Sequence, residues 1–259
     1  MILTVDCGNT HTTVGCITKD NRVCVVFRIP TDRRETEFGY AAKMKEIFDL
    51  QKIDLALIGG AVISCVVPPM TDILIRAVRL LIHTTPLVVG AGVKTGLHIC
   101  INDPGTVAAD LVATAVAAKE EYPLPCIIVD MGTATTLTVV DERARFIGGA
   151  IAPGAGISLE ALSAHTALLP HVDMTSPKRA IGANTADCMK SGIVYGTAGM
   201  VDGLLERFAA ELGCAPASIV ATGGIASLIA PHCRHSLTVD ETLLLRGLKR
   251  IWDKNQSKE

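Results

Sequence analysis

The sequence predicts an α/β protein made of two similar halves, each with a mixed sheet covered by helices. Its 259 residues exceed one ordinary domain and are few for two large ones. Hydrophobic residues make up 49% but aromatic residues only 3%, so Ala, Val, Ile and Leu must form a layered core. The strings VDCGNTHTTV, from residue 5, and VDMGTATTLTVV, from residue 129, resemble each other. We therefore expect an internal duplication, with domains at 1–117 and 118–259.

The first half begins with an antiparallel arrangement. MILTVDCGNTHTTVGCIT alternates and turns at Gly8, which predicts two strands, and RVCVVFRI continues the sheet. DLALIGGAVISCVVPP and PLVVGAGV predict further strands, and TDILIRAVRLLIHTT a helix. In TEFGYAAKMKEIFDLQ the spacing predicts a helix whose inner face carries Phe38, Ala42, Ile47 and Leu50.

A further helix is predicted in NDPGTVAADLVATAVAAKEEY. Asp103 is a suitable N-cap, and Pro104 suits the first helical position. A helix starting there would place four side chains on one face: Val107, Leu111, Ala115 and Ala118.

The second half repeats the pattern. CIIVDMGTATTLTVVDERARFIGGAIAPG predicts strands joined by a tight turn, and GISLEALSAHTALL and ADCMKSGIVYGTAGMVDGLLERFAAEL predict helices. SIVATGGIASLIAPH predicts a strand that ends at Gly223 and Gly224, and a closing helix follows Asp240.

Composition limits the classes of function. The formal net charge of −2 gives no basic footprint, so nucleic-acid binding is disfavoured. No apolar run has transmembrane length, so we expect no membrane partner. The nine cysteines lie mostly in apolar strand-like runs, without a CxxC pair or a signal peptide. They predict reduced, buried thiols in a cytoplasmic protein.

The repeated turn indicates phosphate binding. A shift of 124 (130 minus 6) places Asp6 on Asp130 and Gly8 on Gly132, with Asn9 on Thr133 and Thr12 on Thr136. Glycine lets the backbone approach a ligand, and successive N–H groups and Thr or Asn side chains can donate to an anion. The aspartates would repel a phosphate unless a cation lay between them, either Mg²⁺ through water or a monovalent ion. Two facing copies could grip a polyphosphate, although each is also compatible with a simple hairpin bearing surface threonines.

Other nucleotide-binding motifs are missing from the sequence. Neither a Walker loop nor a GxGxxG turn between strand and helix occurs. ATGG at 221–224 could admit a base or ribose at close range, or it could be an ordinary strand-to-helix turn.

These loops, taken in order, resemble the type III pantothenate kinases, a branch of the acetate kinase, sugar kinase, Hsp70 and actin superfamily. The similar strings run along nearly the whole chain: DCGNT, SCVVPP, DMGTATT, GGAIAPG, SLEALSAHTALLP, GANTADCMKSGIVYG, ATGGIA and LLLRGLKRI. The resemblance implies two ribonuclease H-like domains, a homodimer, and phosphorylation of pantothenate by ATP as the first step towards coenzyme A. It also implies Mg²⁺ and a monovalent cation, K⁺ or NH₄⁺.

The resemblance assigns roles by position. Asp110 matches the aspartate that takes the proton from the substrate hydroxyl. Asp6 matches an acid that binds Mg²⁺ through water, and Asp130 matches one that binds the monovalent cation. ATP and its phosphates would contact Asp6, Gly8, Asn9, Thr10, Gly132, Thr133, Thr135, Thr136, Gly223 and Gly224. The acceptor would contact Ile101, Ala108, Ala109, Leu111 and Thr185, of which Thr185 matches a threonine that reaches the neighbouring subunit's substrate.

The acceptor segment departs from the family pattern, which is approximately Y-x-N-P-x-x-x-G-A-D-R. This chain has INDPGTVAADL, with Ile101 for the tyrosine, Ala108 for the glycine and Leu111 for the arginine. Leucine cannot make the paired, charge-assisted hydrogen bonds that an arginine gives a carboxylate or phosphate. Three interpretations remain open: a pantothenate kinase with compensating residues, a kinase of another small hydroxy compound, and a nucleotide-binding paralogue that acts as a regulator like an accessory transcription factor.

Overall fold

The computed structural model describes residues 1–256, which form two compact units. The first unit contains residues 1–97 and 102–117 together with the segment that begins at Thr242. The second contains residues 98–101 and 118–241. The expected domain 118–259 therefore differs from the observed second unit, because the C-terminal helix packs with the first.

Eleven strands lie in the described residues, five in the first unit and six in the second. The strands of the first unit are β1 (Ile2–Cys7), β2 (His11–Ile17), β3 (Val23–Pro30), β4 (Gly60–Cys65) and β5 (Leu87–Val88). The strands of the second unit are β6 (His98–Ile99), β7 (Cys126–Met131), β8 (Ala134–Val140), β9 (Arg145–Pro153), β10 (Ser218–Thr222) and β11 (Thr238–Val239).

Seven α-helices lie in residues 1–256. They are α1 (Glu37–Leu50), α2 (Pro68–Ile82), α3 (Ala109–Glu121), α4 (Ala155–Ala164), α5 (Thr185–Leu212), α6 (Ala226–Ile229) and α7 (Leu243–Asn255). Helix α3 runs from the first unit into the second, since the boundary falls between Ala117 and Ala118.

The two sheets have the same strand order. The first is β3-β2-β1-β4-β5, and the second is β9-β8-β7-β10-β11 with β6 added beside β9. In the first sheet, β1 is antiparallel to β2 and parallel to β4. In the second sheet, β7 is likewise antiparallel to β8 and parallel to β10. The prediction of an α/β protein with mixed sheets is confirmed.

Helix α1 buries a different face from the predicted one. Tyr40, Met44 and Phe48 are in the core, whereas Phe38 and Leu50 are 67% and 73% exposed. Thr36 caps the helix by accepting a hydrogen bond from the Gly39 N–H at 3.2 Å. The spacing i, i+4, i+8 fits the larger aromatic and sulfur-containing side chains, and their burial decides the rotation of the helix about its axis.

Helix α7 closes the first unit. Its side chains Leu243, Leu245, Leu248 and Ile251 are buried. A Cβ atom at Gly247 would collide with the backbone carbonyl of Ala113 in α3, so this glycine permits close contact between the two helices.

The cysteines are free, and the prediction that they are buried is only partly correct. Cys7, Cys16 and Cys126 are buried, but Cys24, Cys188 and Cys214 are exposed. Cys24 in β3 and Cys188 in α5 face solvent, and Cys214 lies in the bend after α5, which local hydropathy does not reveal. Within residues 1–256 there is no helix with the length and apolar character needed to cross a membrane.

Candidate active site

The first hairpin joins β1 to β2 at the end of the buried sheet. Asp6, next to last in β1, lies opposite Thr13 of β2 and opposite Ser64 of β4. Residues directly opposite one another in a sheet project to the same face. The carboxylate of Asp6 is therefore flanked by two hydroxyl-bearing residues. The Gly8 N–H donates to the His11 carbonyl at 3.0 Å and closes the turn.

Thr31, which follows β3, supports the first hairpin. Its N–H donates to the Thr10 carbonyl at 3.0 Å, and its hydroxyl donates to the Gly8 carbonyl at 2.9 Å. The hydroxyls of Thr12 and Thr31 are 3.0 Å apart. Since the Thr31 hydrogen is already directed at Gly8, Thr12 is the donor between them. These bonds hold the turn while Asn9 and Thr10 remain exposed.

The second hairpin has the same construction. Asp130 of β7 lies opposite Thr136 of β8 and opposite Thr222 of β10. The Gly132 N–H donates to the Ala134 carbonyl at 3.0 Å, and the Gly154 N–H donates to the Thr133 carbonyl at 3.2 Å.

The two hairpins correspond closely, but the second is one residue shorter. Equivalent residues differ by 124 before the turn (130 minus 6) and by 123 after it (136 minus 13). The register irregularity after β2 residue Cys16 recurs after β8 residue Val139 with the same shift of 123. The uniform alignment was therefore wrong after the glycine, since Thr10 corresponds to Thr133, Thr13 corresponds to Thr136, and Asn9 is the additional residue.

Several hydroxyls near these turns are shielded from solvent and have no hydrogen-bond partner among residues 1–256. They belong to Ser64 in the first unit and to Thr135, Thr136 and Thr138 in the second. A buried hydroxyl without a partner costs about 1–3 kcal/mol. The hydroxyl of Thr136 projects to the same face as Asp130, so it can donate to a phosphate or give an oxygen ligand to a cation.

The two glycines predicted after β10 lie in different surroundings. Gly223 has φ +95°, and a Cβ atom on it would come within 2.5 Å of the Met131 carbonyl oxygen and 2.6 Å of Asp130 Oδ1. The absence of a side chain at Gly223 therefore leaves room for the end of β7. Gly224 is exposed in the following turn.

Asp110 lies in the first turn of α3 and is partly buried. Its Oδ1 accepts the Leu111 N–H at 2.7 Å. Burial raises the pKa of Asp110 above the usual value for an aspartate, although the hydrogen bond from Leu111 acts in the opposite direction. A carboxylate with a raised pKa is a stronger base.

The helix containing Asp110 starts later than predicted. Asp103 caps a separate 3-10 turn over Pro104–Thr106, with its side chain accepting the Gly105 N–H at 3.2 Å. Val107 is extended, with φ −68° and ψ +121°, and α3 begins at Ala109. The N-cap and proline signals were correct locally, but the extended residue Val107 ends the 3-10 turn before α3 begins.

The predicted acceptor residues are divided between the units. Ala108, Ala109 and Leu111 lie in the first unit, at the start of α3. Ile101 and Thr185 lie in the second, Ile101 beside Gly148 and Thr185 as the first residue of α5. Thr185 is exposed, and Ile101 and Leu111 are half-buried.

Sequence reasoning missed Ser64 and Thr222, which flank the two aspartates on the parallel strands. The one available signal was a hydroxyl residue near the end of each strand, in ISC and VAT. No group of three or more His, Cys, Asp or Glu side chains suited to a metal occurs in the described part of the chain. A cation at Asp6 or Asp130 would accordingly take its other ligands from hydroxyl, carbonyl, water or phosphate oxygens.

Comparison with known proteins gives consistent matches. Residues 2–207 match the family model described as type III pantothenate kinase. The type III pantothenate kinase of Halalkalibacterium halodurans is 42% identical over 255 residues, covering 98% of this chain and 100% of that protein. The type III pantothenate kinase of Moorella thermoacetica is 41% identical over 255 residues, with coverage of 98% and 100%.

Solved structures with low identity share the fold. An activator of 2-hydroxyisocaproyl-CoA dehydratase from Clostridium difficile, with bound ADPNP, has a TM-score of 0.59 at 11% identity and covers 100% and 98% of the two chains. A Sinorhizobium meliloti protein named as a 2-dehydro-3-deoxygalactonokinase has a TM-score of 0.60 at 11% identity and covers 98% and 99%. The predicted pair of ribonuclease H-like domains of the actin and sugar kinase type is thereby confirmed.

Proposed function

This chain belongs to the type III pantothenate kinase family, and we propose on that basis that it transfers the γ-phosphoryl group of ATP to pantothenate. The product is 4'-phosphopantothenate, and the reaction is the first step of coenzyme A biosynthesis. The structural observation that carries the proposal is the repeated register in which a carboxylate lies between hydroxyl-bearing residues beside a glycine turn, Asp6 in one unit and Asp130 in the other.

The hairpins supply the phosphate-binding groups. In the first, the Gly8 turn presents Asn9 and Thr10 to solvent. In the second, Gly132 and Thr133 are exposed, while Thr135 and Thr136 have shielded hydroxyls. We assign these seven residues, together with Gly223 and Gly224, to ATP. Oriented N–H and O–H donors stabilise phosphate charge because they need no reorganisation during transfer.

Two cations would complete the charge balance. We assign Mg²⁺, through water, to Asp6, and K⁺ or NH₄⁺ to Asp130. When bound, these ions neutralise the negative charge that develops on the phosphate oxygens. The shielded hydroxyl of Thr136, opposite Asp130, is the kind of neutral oxygen ligand that suits a large monovalent ion.

Asp110 is assigned as the proton acceptor for the acceptor hydroxyl. The hydrogen bond from Leu111 engages Oδ1 and fixes the carboxylate plane, so Oδ2 can accept the hydroxyl proton. Its place in the first turn of α3 holds the base on a regular element. In-line phosphoryl transfer depends mostly on such positioning and on electrostatic stabilisation.

We further propose that the protein is a cytoplasmic homodimer. The second unit exposes large apolar side chains in β9 and in the segment between α4 and α5: Ile151 at 75%, Leu168 at 90% and Ile181 at 86%. Exposed apolar surface of this kind is typical of a subunit interface. Nine free cysteines suit a reducing compartment.

A second candidate function is phosphorylation of another small, more apolar hydroxy compound. The observation that favours it is Leu111, the residue directly after the proposed base, where an arginine would otherwise be available for an acidic acceptor. A nucleotide-binding regulator without turnover remains the third interpretation.

One assay separates the three. ADP release should be measured with ATP, Mg²⁺, K⁺ and either pantothenate or a panel of hydroxy compounds, and the product identified by mass spectrometry. Phosphorylated pantothenate supports the main proposal. Turnover only with another compound supports the second, and ATP binding without turnover supports the regulator.

A further inference from the structure

Asn9 is the one residue by which the first hairpin exceeds the second. In each unit a glycine N–H closes the turn, and a threonine carbonyl, Thr10 or Thr133, accepts from the segment after the third strand. These bonds are kept while Asn9 is added between Gly8 and Thr10. The addition gives the first hairpin an exposed carboxamide that the second does not have.

The carboxamide of Asn9 is oriented by Arg33. Arg33 Nη2 donates to Asn9 Oδ1 at 3.3 Å, and within residues 1–256 the Asn9 side chain makes no other hydrogen bond. An arginine side chain can only donate, so its partner must be the carboxamide oxygen. The NH₂ end of Asn9 is consequently left to donate to another group.

Arg33 is presented by a supported segment. Thr31, two residues earlier, is bound to the hairpin backbone, and the Asp32 N–H donates to the hydroxyl of the buried Tyr40 at 2.9 Å. The adjacent Arg34 points elsewhere, since its Nε contacts Asp32 Oδ1 at 3.4 Å and its side chain is 92% exposed. The chain thus carries two neighbouring arginines of equal charge and different contacts.

The second unit has no counterpart of this contact. Its residue equivalent to Thr31 is Gly154, and the chain continues from there directly into α4 at Ala155. The additional asparagine and the arginine that orients it therefore occur together, in the first unit alone. A pair that is present in only one of two corresponding turns indicates a role that the other turn lacks.

We propose that Arg33 is a positioning residue for ATP: it holds Asn9 so that the carboxamide N–H groups donate to a phosphate oxygen. The inference rests on the proposed function only in naming ATP as the ligand. Arg33 acts through Asn9, because its own hydrogen bond goes to that side chain.

The test compares four variants by steady-state kinetics. Arg33→Ala and Asn9→Ala should each raise the KM for ATP about tenfold, the effect of one charge-assisted hydrogen bond. The acceptor KM should not change. The double variant should be no worse than Asn9→Ala alone, whereas Arg34→Ala, which removes the same charge, should stay within about twofold of the unchanged protein.

Additive losses in the double variant, or an equal loss in Arg34→Ala, would overturn the inference. If Arg33→Ala shows a changed thermal melt, Arg33→Lys serves instead, since it keeps a donor and should restore most of the ATP affinity. If Arg33 had only a structural role, the KM for ATP would not recover when lysine restores a hydrogen-bond donor at this position.

Calorimetric binding of a non-hydrolysable ATP analogue to the same variants keeps this inference separate from the proposed function. Binding that weakens about tenfold in Arg33→Ala but not in Arg34→Ala supports the role of Arg33 even if pantothenate is not phosphorylated. Turnover of pantothenate with analogue binding unaffected by Arg33→Ala would retain the proposed function and reject the role of Arg33.

Discussion

Gly223 lies so close to Asp130 that a Cβ atom on the glycine would be 2.6 Å from the carboxylate oxygen Oδ1. The residue has φ +95°, a conformation that side chains with a Cβ rarely adopt. A side chain at position 223 would therefore strain the backbone and also collide with the Asp130 carboxylate.

Gly223→Ala should displace the Asp130 carboxylate and lower the response of activity to K⁺, with a loss of about 1–3 kcal/mol in unfolding free energy. Gly213→Ala is the matched control, since Gly213 has φ +72° but nothing within 4 Å of its Cβ position. Urea unfolding and a K⁺ titration of the rate check both. Equal kinetic losses in the two variants would show that strain alone, without the approach to Asp130, is responsible.

Asp110→Asn should reduce kcat by about 10²–10⁴-fold, because the amide cannot accept the hydroxyl proton. Since burial raises the pKa of Asp110, the folded state holds this proton to higher pH than the unfolded state does. Its ionisation therefore lowers stability as pH rises from the unfolded to the folded pKa, and the cost persists above that window. The variant should accordingly be more stable than the unchanged protein at neutral pH. A stability deficit there would contradict the assigned burial cost.

The same raised pKa sets the pH dependence of the reaction. The base must be ionised to accept a proton, so kcat/KM should increase with pH through an inflection above the usual pKa of an aspartate. Initial rates across pH at low acceptor concentration measure it. An inflection at the value of an exposed aspartate would argue against Asp110 as the base.

Thr136→Val should weaken activation by K⁺ or raise the KM for ATP while stability stays equal or increases by about 1 kcal/mol, because a shielded hydroxyl without a partner is replaced by a methyl group. Thr138→Val provides the control: its hydroxyl is also shielded, but it lies two residues farther from the turn. Only the first change should alter kinetics. Identical kinetics in both variants would remove Thr136 from the site.

Leu111→Arg should lower the KM for pantothenate about tenfold if the acceptor carboxylate lies near the start of α3, since arginine adds charge-assisted hydrogen bonds. Leu111→Met keeps the size without the charge and should change little. An unchanged KM in the arginine variant would indicate a different acceptor.

Leu168→Glu combined with Ile181→Glu should shift the protein towards monomer in light scattering, because both side chains are nearly fully exposed on the second unit. Leu50→Glu, at a 73% exposed position on α1, should leave the mass unchanged. A dimer that survives the double change places the interface elsewhere.

The sequence predicted the hairpins well because their information is local. Alternating strands around Gly8 and Gly132 specify the turns, and the repeated Asp indicates the duplication. The single additional residue Asn9 was misaligned, since an ungapped shift cannot detect a change in loop length. Only the hydrogen bonds of the turns locate it.

Features that depend on distant pairing were not predictable in the same way. Ser64 and Thr222 lie opposite the aspartates because strands separated by many residues pair in parallel. The prediction of the inner face of α1 was wrong because Phe38 and Leu50 are as apolar as the buried Tyr40 and Phe48. Which of these side chains are buried depends on the shape of the core surface on which α1 packs. The predicted start of α3 was wrong because an N-cap followed by proline begins both an isolated 3-10 turn and an α-helix, and the sequence does not distinguish them.

The position of α7 at the end of the chain affects how the protein folds during its translation. The second unit is nearly continuous along the chain, whereas the first needs residues 243–255, whose buried leucines cover its sheet. During translation at about 5–20 residues per second, the first unit must wait on the order of ten seconds after Ala117 for its last helix. The unit that is synthesised first is thus the last to be completed. Until then, the apolar surface that α7 will cover is open to chaperones.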